Sequence, residues 1–94
     1  MSWGELFGSI LGGVAGTTVI SKWMNLTHDA DELRDQVRMD IADFGQDTIE
    51  RFTGGLDGIM RSASMTQDTA TFKKAYIVKE ILWEQAREAG IVDE

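Results

Sequence analysis

The chain of 94 residues contains no cysteine, no proline and a single histidine. Without cysteine it forms no disulfide, no thiolate nucleophile and no cysteine-bound zinc site. Without proline, no helix loses a backbone amide donor, so long uninterrupted helices are allowed. The net charge of −7 argues against specific binding to nucleic acid, because contacts with phosphates require an excess of Lys and Arg.

Residues that could support catalysis are also scarce. His28 stands at a predicted helix start beside acidic residues, and no serine is spaced to act as a nucleophile. The three aspartates between residues 29 and 35 do not match a calcium loop, because Arg34 occupies the position of the turn glycine. We therefore predict a non-enzymatic protein with no cofactor and no bound metal.

Glycine, in contrast, is frequent near the start of the chain and recurs at every fourth position: Gly4, Gly8, Gly12 and Gly16. On a helix these glycines share one smooth face, and large apolar side chains cover the other face. This pattern is a glycine zipper. Each interior glycine costs about 1 kcal/mol relative to alanine, so contacts outside the helix must offset that cost. We expect the smooth face to pack against another helix, as in a homo-oligomer.

The same stretch is also a candidate membrane span. From Trp3 to Trp23, twenty steps of about 1.5 Å cover roughly 30 Å, the thickness of a hydrocarbon core. The two tryptophans would then be interfacial anchors among the membrane lipids. Gly, Ser and Thr dilute its hydrophobicity, so a helix packed against protein in an oligomer is the alternative. Residues 1–26 are thus predicted to be a glycine-zipper helix, and residues 27–94 an acidic helical domain.

The opening stretch GELFGSILGGVAGTTVISKW, which begins at Gly4, resembles the glycine-rich N-termini of bacteriophage DNA-ejection or pilot proteins. Proteins of that family insert into the host envelope and assemble into helical conduits for the genome. The resemblance rests on composition and glycine spacing and covers about the first quarter of the chain. It implies a component of a virion-like assembly that contacts a membrane and other virion proteins.

A second, long amphipathic helix is predicted to follow, with Thr27 as its N-cap and carboxylates in its first turn. One stripe of this helix is formed by Leu33, Val37, Ile41, Phe44, Thr48 and Phe52. We expect Gly54 and Gly55 to end the helix. A bent or broken extension to about residue 64 is the alternative.

The polar side of that helix carries an acidic stripe. Its members fall within about 80° of one another on a helical wheel: Asp29, Glu32, Asp40, Asp43, Asp47 and Glu50. Three interpretations are open. The stripe is a solvated face, a repulsive lining that lets DNA slide through a conduit, or a docking surface for a basic partner or a loose site for divalent cations.

A C-terminal helix is predicted from about residue 66 to residue 89, with Thr66 or Asp68 as its cap and Gly90 as its stop. Its broad apolar face is formed by Phe72, Ala75, Tyr76, Leu82, Trp83 and Ala86, and two residues point elsewhere, Ile77 and Ile81. Three lysines give its N-terminal half a positive sector: Lys73, Lys74 and Lys79. In an oligomer these lysines could meet the acidic stripe of the next subunit.

The sequence therefore predicts an all-α protein, an elongated helical hairpin within an oligomer. The favoured function is a structural subunit of a helical homo-oligomer or virion-like assembly, membrane-associated or within a virion, whose first helix can enter a membrane. The other function considered is a soluble acidic helical adaptor or inhibitor that binds a basic protein surface.

Overall fold

Four α-helices form the part of the chain that the structure, a computed structural model, describes, residues 14–93. They are α1 (Val14–Asn25), α2 (Ala30–Asp40), α3 (Gln46–Met65) and α4 (Thr69–Glu88). No β-strand occurs among residues 14–93, so the predicted all-α class is confirmed. Gly16 lies in α1. The other predicted residues of the first helix fall outside the described residues: Trp3, Gly4, Gly8 and Gly12.

Helix α2 begins later than a cap at Thr27 would require, and Thr27 is not its cap. Asp29 is the N-cap, and its carboxylate accepts a hydrogen bond of 3.2 Å from the backbone N–H of Glu32. The Thr27 hydroxyl instead donates to the carbonyl oxygen of Met24 at 3.0 Å, in the link between α1 and α2. An acidic cap suits this position because it satisfies a free amide and complements the helix dipole.

The predicted long helix is wrong, because a turn at residues 41–45 divides it into α2 and α3. The backbone N–H of Phe44 bonds to the carbonyl oxygen of Ile41 at 2.9 Å, and Gly45 caps α3 in an extended conformation. Ile41 is nevertheless buried, and the Phe44 ring lies 5.0 Å from the Phe52 ring. The apolar pattern passes through the turn without interruption, so periodicity alone could not locate the break.

Helix α3 also does not end at Gly54 and Gly55 but continues to Met65. The residues after the glycines keep one side of the helix in the core, since Leu56 and Ile59 are both fully buried. Their burial outweighs the roughly 1 kcal/mol that each glycine costs in a helix. The extension beyond Gly55 is therefore an unbroken part of α3.

Helices α3 and α4 end in the same way, with a residue in the left-handed region just past the last turn. That residue is Gln67 (φ +59°) after α3 and Gly90 (φ +75°) after α4, so the predicted stop at Gly90 is confirmed. In both cases the backbone amide of the next residue bonds back to a carbonyl in the last turn, as in a Schellman motif. The two bonds run from Asp68 to Ala63 at 2.8 Å and from Ile91 to Ala86 at 2.9 Å.

The core lies between the α3–α4 hairpin and the two shorter helices, and α1 touches all three other helices. Its largest buried members are Ile20, Trp23, Leu33, Ile41, Ile49, Leu56, Ile59 and Leu82. The predicted apolar face of α4 is wrong in part. Phe72 and Tyr76 are exposed, whereas Ile81 is buried, because α4 turns its Val78 and Leu82 side toward the core.

Candidate functional site

Trp23 lies in a different environment from the one that the sequence predicts. As a membrane-interface anchor it would lie on the surface, but its side chain is fully buried, and its ring lies 5.5 Å from the Phe52 ring. Its indole N–H donates to an oxygen of Asp40 at 2.8 Å. The anchor prediction for Trp23 is therefore wrong in this fold, since the residue fixes α1 to the core of its own chain.

Asp40 binds side chains of α1 and α2 and is not a solvated member of the acidic stripe. Its carboxylate accepts from the Trp23 indole at 2.8 Å, from Lys22 Nζ at 2.9 Å and from Gln36 Nε2 at 3.1 Å. The side chain is only 18% exposed. A buried tryptophan usually finds a partner for its N–H, but the sequence does not indicate which of sixteen acidic residues provides it.

The remaining carboxylates of the predicted stripe do not share one helix. Glu32 lies in α2 and Asp43 in the turn at 41–45, whereas Asp47 and Glu50 lie in the first half of α3. All four are exposed. Among residues 14–93, the structure contains no ion pair to Asp43, Asp47 or Glu50.

Three of these carboxylates and one large exposed apolar side chain lie in or on either side of the turn that joins α2 to α3. Met39, in the last turn of α2, is 71% exposed and precedes the turn that carries Asp43. Asp47 lies in the first turn of α3, and Glu50 follows it by three residues. We call this group, Met39, Asp43, Asp47 and Glu50, the acidic end.

The opposite end of the α3–α4 hairpin carries bases and more apolar surface. Three exposed bases at this end form no ion pair among the described residues. Three large apolar side chains there are exposed: Met65 by 80%, Phe72 by 41% and Tyr76 by 50%. We call the following group the basic end: Arg61, Met65, Phe72, Lys73, Lys74 and Tyr76. Lys79, predicted to belong to the positive sector, instead binds Asp57 at 2.7 Å.

An open groove of about 550 Å³ adjoins the basic end. Its lining comes from the last turn of α3, the following turn and the first turn of α4: Ala63, Ser64, Gln67, Asp68, Thr69 and Phe72. Asp68 caps α4 there. The Thr71 hydroxyl at 2.6 Å and the Thr71 backbone N–H at 3.1 Å bind its carboxylate and lower the pKa of Asp68 below the ordinary value of 3.8. The groove is therefore apolar on its Phe72 side and polar along the turn.

The described residues carry neither a metal-binding cluster nor a membrane span. Within residues 14–93, no three His, Asp or Glu side chains are grouped so that they could hold a metal ion. None of the helices in that range combines the length and the apolar character needed to cross a bilayer. His28 is exposed in the link between α1 and α2.

The surface features that sequence reasoning missed are the methionines and the groove. Met39 and Met65 could have been noticed because they stand off the apolar stripe of their helices. The groove depends on how α3 and α4 meet, for which the sequence carries no local signal. No protein-family model matches the chain, and comparisons with curated proteins and with solved structures gave no match either.

Proposed function

We propose that the protein is a non-enzymatic structural subunit of a homo-oligomeric assembly, and that its glycine zipper supplies a contact between copies. The observation that supports this proposal is the attachment of α1. Ile20 and Trp23 are fully buried in the domain, and Trp23 is further held by Asp40 at 2.8 Å. Gly16 lies earlier in the same helix, so the fourth glycine of the predicted zipper belongs to the helix that is fixed to the folded body.

The composition of the zipper explains why it would associate. A helix with glycine at every fourth position gains little from side-chain packing and loses about 1 kcal/mol per glycine relative to alanine. If a second backbone packs closely against the smooth face, the dispersion contacts between the two helices offset the cost of the glycines. A second copy of the same helix is the partner that is always present at matching concentration.

The resemblance of residues 4–23 to phage ejection proteins supports a finer proposal. The assembly would be helical and virion-like, and its first helix would enter a membrane at some stage. Lipid and other virion proteins are the partners that this version adds. Detergent separates the two versions, because a lipid-dependent assembly changes mass in detergent and an assembly packed by protein alone does not.

The experiment is the mass of the full-length protein in solution, measured by light scattering with and without detergent. We expect oligomers for the parent chain and a loss of those oligomers in Gly8→Leu and Gly12→Leu, since leucine fills the smooth face. Gly54→Leu is the matched control, because Gly54 is an exposed helical glycine with open space where a Cβ would lie and no atom within 4 Å of that position. A monomeric parent chain, or oligomers that tolerate Gly8→Leu and Gly12→Leu, would refute the proposal.

A second function, an acidic adaptor that binds a basic protein surface, is favoured by the exposed carboxylates. Asp43, Asp47 and Glu50 are free of ion pairs within the described range. If this is the function, Asp43→Lys with Asp47→Lys removes binding to a lysine-rich peptide, and the glycine changes leave that binding intact. Equal binding by the Asp43→Lys/Asp47→Lys variant would exclude it.

A further inference from the structure

We propose that copies of this chain stack head to tail, with the basic end of one copy on the acidic end of the next. This inference rests on the proposed role as an assembly subunit and adds a contact separate from the glycine zipper. Its occupant is a second copy of the chain. The groove beside Phe72 receives Met39 of the neighbouring copy, and the surrounding lysines meet the neighbour's carboxylates.

The two ends lie too far apart to meet within one molecule. Lys79 binds Asp57 and the Trp83 indole N–H binds the Thr53 hydroxyl at 2.8 Å, which sets α3 and α4 antiparallel. The same register sets residue 64 opposite residue 72, so all members of the basic end cluster near the α3–α4 turn. Asp47 and Met65 are separated by about 27 Å along α3, at about 1.5 Å per residue. Only a neighbouring copy can join them.

The exposed apolar side chains are concentrated at these two ends. Within residues 18–93, the range over which side-chain exposure is described, the large hydrophobic residues that remain exposed are Met39, Met65, Phe72 and Tyr76. One belongs to the acidic end and three to the basic end. Methionine and aromatic residues are enriched where protein surfaces bind each other. The distribution therefore indicates two contact surfaces, one protruding at Met39 and one grooved at Phe72.

The charges of the two ends are complementary, and neither set forms an ion pair within the described residues. Several other bases are paired internally, as in Lys22 with Asp40 at 2.9 Å and Lys79 with Asp57 at 2.7 Å, whereas Arg51 and Arg87 are unpaired like those of the basic end. Arg61, Lys73 and Lys74 have no such pair among the described residues, and neither do the three carboxylates of the acidic end. One charge of opposite sign lies beside each group, Asp68 near Lys74 and Arg51 after Glu50, and each end keeps its net sign. Complementary charges orient two surfaces and exclude the reversed arrangement.

Because the two surfaces differ, the contact is heterologous, and repeated contacts form a ring or an open filament. A two-fold dimer that joins two basic ends directly is opposed by the lysines. The contact also predicts that association weakens with salt. At about 0.5 M NaCl the screening length falls to roughly 4 Å, and exposed ion pairs lose most of their strength.

The test uses charge reversal in the full chain, followed by sedimentation. One variant carries Lys73→Glu and Lys74→Glu, and the other carries Asp43→Lys and Asp47→Lys. Each variant alone has like charges at both ends, so we expect its association constant to fall by about tenfold or more. In an equimolar mixture every contact again joins opposite charges, and association is restored. Far-UV circular dichroism verifies that both variants are folded.

The matched control is Asp31→Lys with Glu32→Lys. These two carboxylates are exposed and occupy the first turn of α2, outside both ends, and their reversal changes the net charge by the same amount as Asp43→Lys with Asp47→Lys. We expect the control to associate like the parent chain. Lys73→Gln with Lys74→Gln gives a milder variant whose association falls by a smaller factor.

Failure of this inference is distinguishable from failure of the proposed function. The same pair of charge variants is made in the Gly8→Leu/Gly12→Leu background, where a zipper contact is removed and only the end contact is measured. The head-to-tail contact is overturned if either charge variant associates as its background does, or if the equimolar mixture stays dispersed. Loss of oligomers on glycine substitution supports the zipper whichever of these results is obtained.

Discussion

Removing the Asp40 carboxylate is expected to loosen α1 from the domain, although the sequence pattern groups Asp40 with solvated acids. In Asp40→Ala the buried Trp23 indole N–H loses its acceptor, which costs about 1–3 kcal/mol. The partly exposed ion pair with Lys22 adds about 0.2–1 kcal/mol. We therefore expect a loss of about 1–4 kcal/mol in the free energy of unfolding. Asp43→Ala, at an exposed position, changes stability by less than about 0.5 kcal/mol.

The measurement is urea unfolding followed by tryptophan fluorescence. Asp40→Asn separates the indole bond from the other contributions, because its amide oxygen still accepts from Trp23, whereas the charge opposite Lys22 and the hydrogen bond from Gln36 are lost. We expect it to retain more than half of the stability lost in Asp40→Ala. Amide hydrogen exchange should show the loss of protection concentrated in α1. If Asp40→Ala and Asp43→Ala were equally stable, the acceptor role of Asp40 would be refuted.

Five further substitutions test the helix ends and the glycines. Gln67→Gly should stabilise the domain and Gly90→Ala should destabilise it, because both positions have a positive φ, which glycine adopts most readily. Each change is expected to be about 1 kcal/mol, or about 4–8 °C in the thermal midpoint. Changes of the same sign in the two variants would contradict this expectation. Gly54→Ala should raise the urea midpoint by the equivalent of about 1 kcal/mol, and a lower midpoint would show that its Cβ is not accommodated. The lowered pKa of Asp68 means that its contribution is complete above pH 3.8 and is lost as pH falls through the folded value. In Asp68→Ala, the free energy of unfolding should therefore fall less steeply as the pH is lowered below 3.8, and Thr71→Val should show a smaller effect of the same kind. An unchanged pH dependence would contradict the role of the Asp68 carboxylate as the cap of α4.

The helices and much of the core could be predicted because they follow from local rules. Leu33, Val37 and Ile41 recur at helical spacing and are all buried. Gly90 follows the last apolar turn of α4 and ends it. Such features depend on residues within a few positions of one another, which is the range over which periodicity and capping act.

The errors arise where distant residues decide the outcome. The glycine pair at 54 and 55 reads as a stronger stop than Gly45, yet burial of Leu56 and Ile59 keeps α3 intact. Trp23 reads as an interfacial residue until its partner, seventeen residues away, is known. The acidic stripe requires one continuous helix, so the turn at 41–45 is enough to separate its members.

If copies associate through the glycine zipper as we propose, the dimensions of the domain would restrict how the zippers come together. The described body is 22 Å across at its narrowest and 35 Å at its longest, whereas the axes of packed helices are about 8–10 Å apart. Bodies this wide, each fixed to its own helix at Trp23, would collide if neighbouring helices met in register at one level. In the assembly that we propose, successive copies would therefore be displaced along the common axis or fanned outward from it. A constant displacement combined with a constant rotation is a screw operation, so copies displaced in this way would form a spiral.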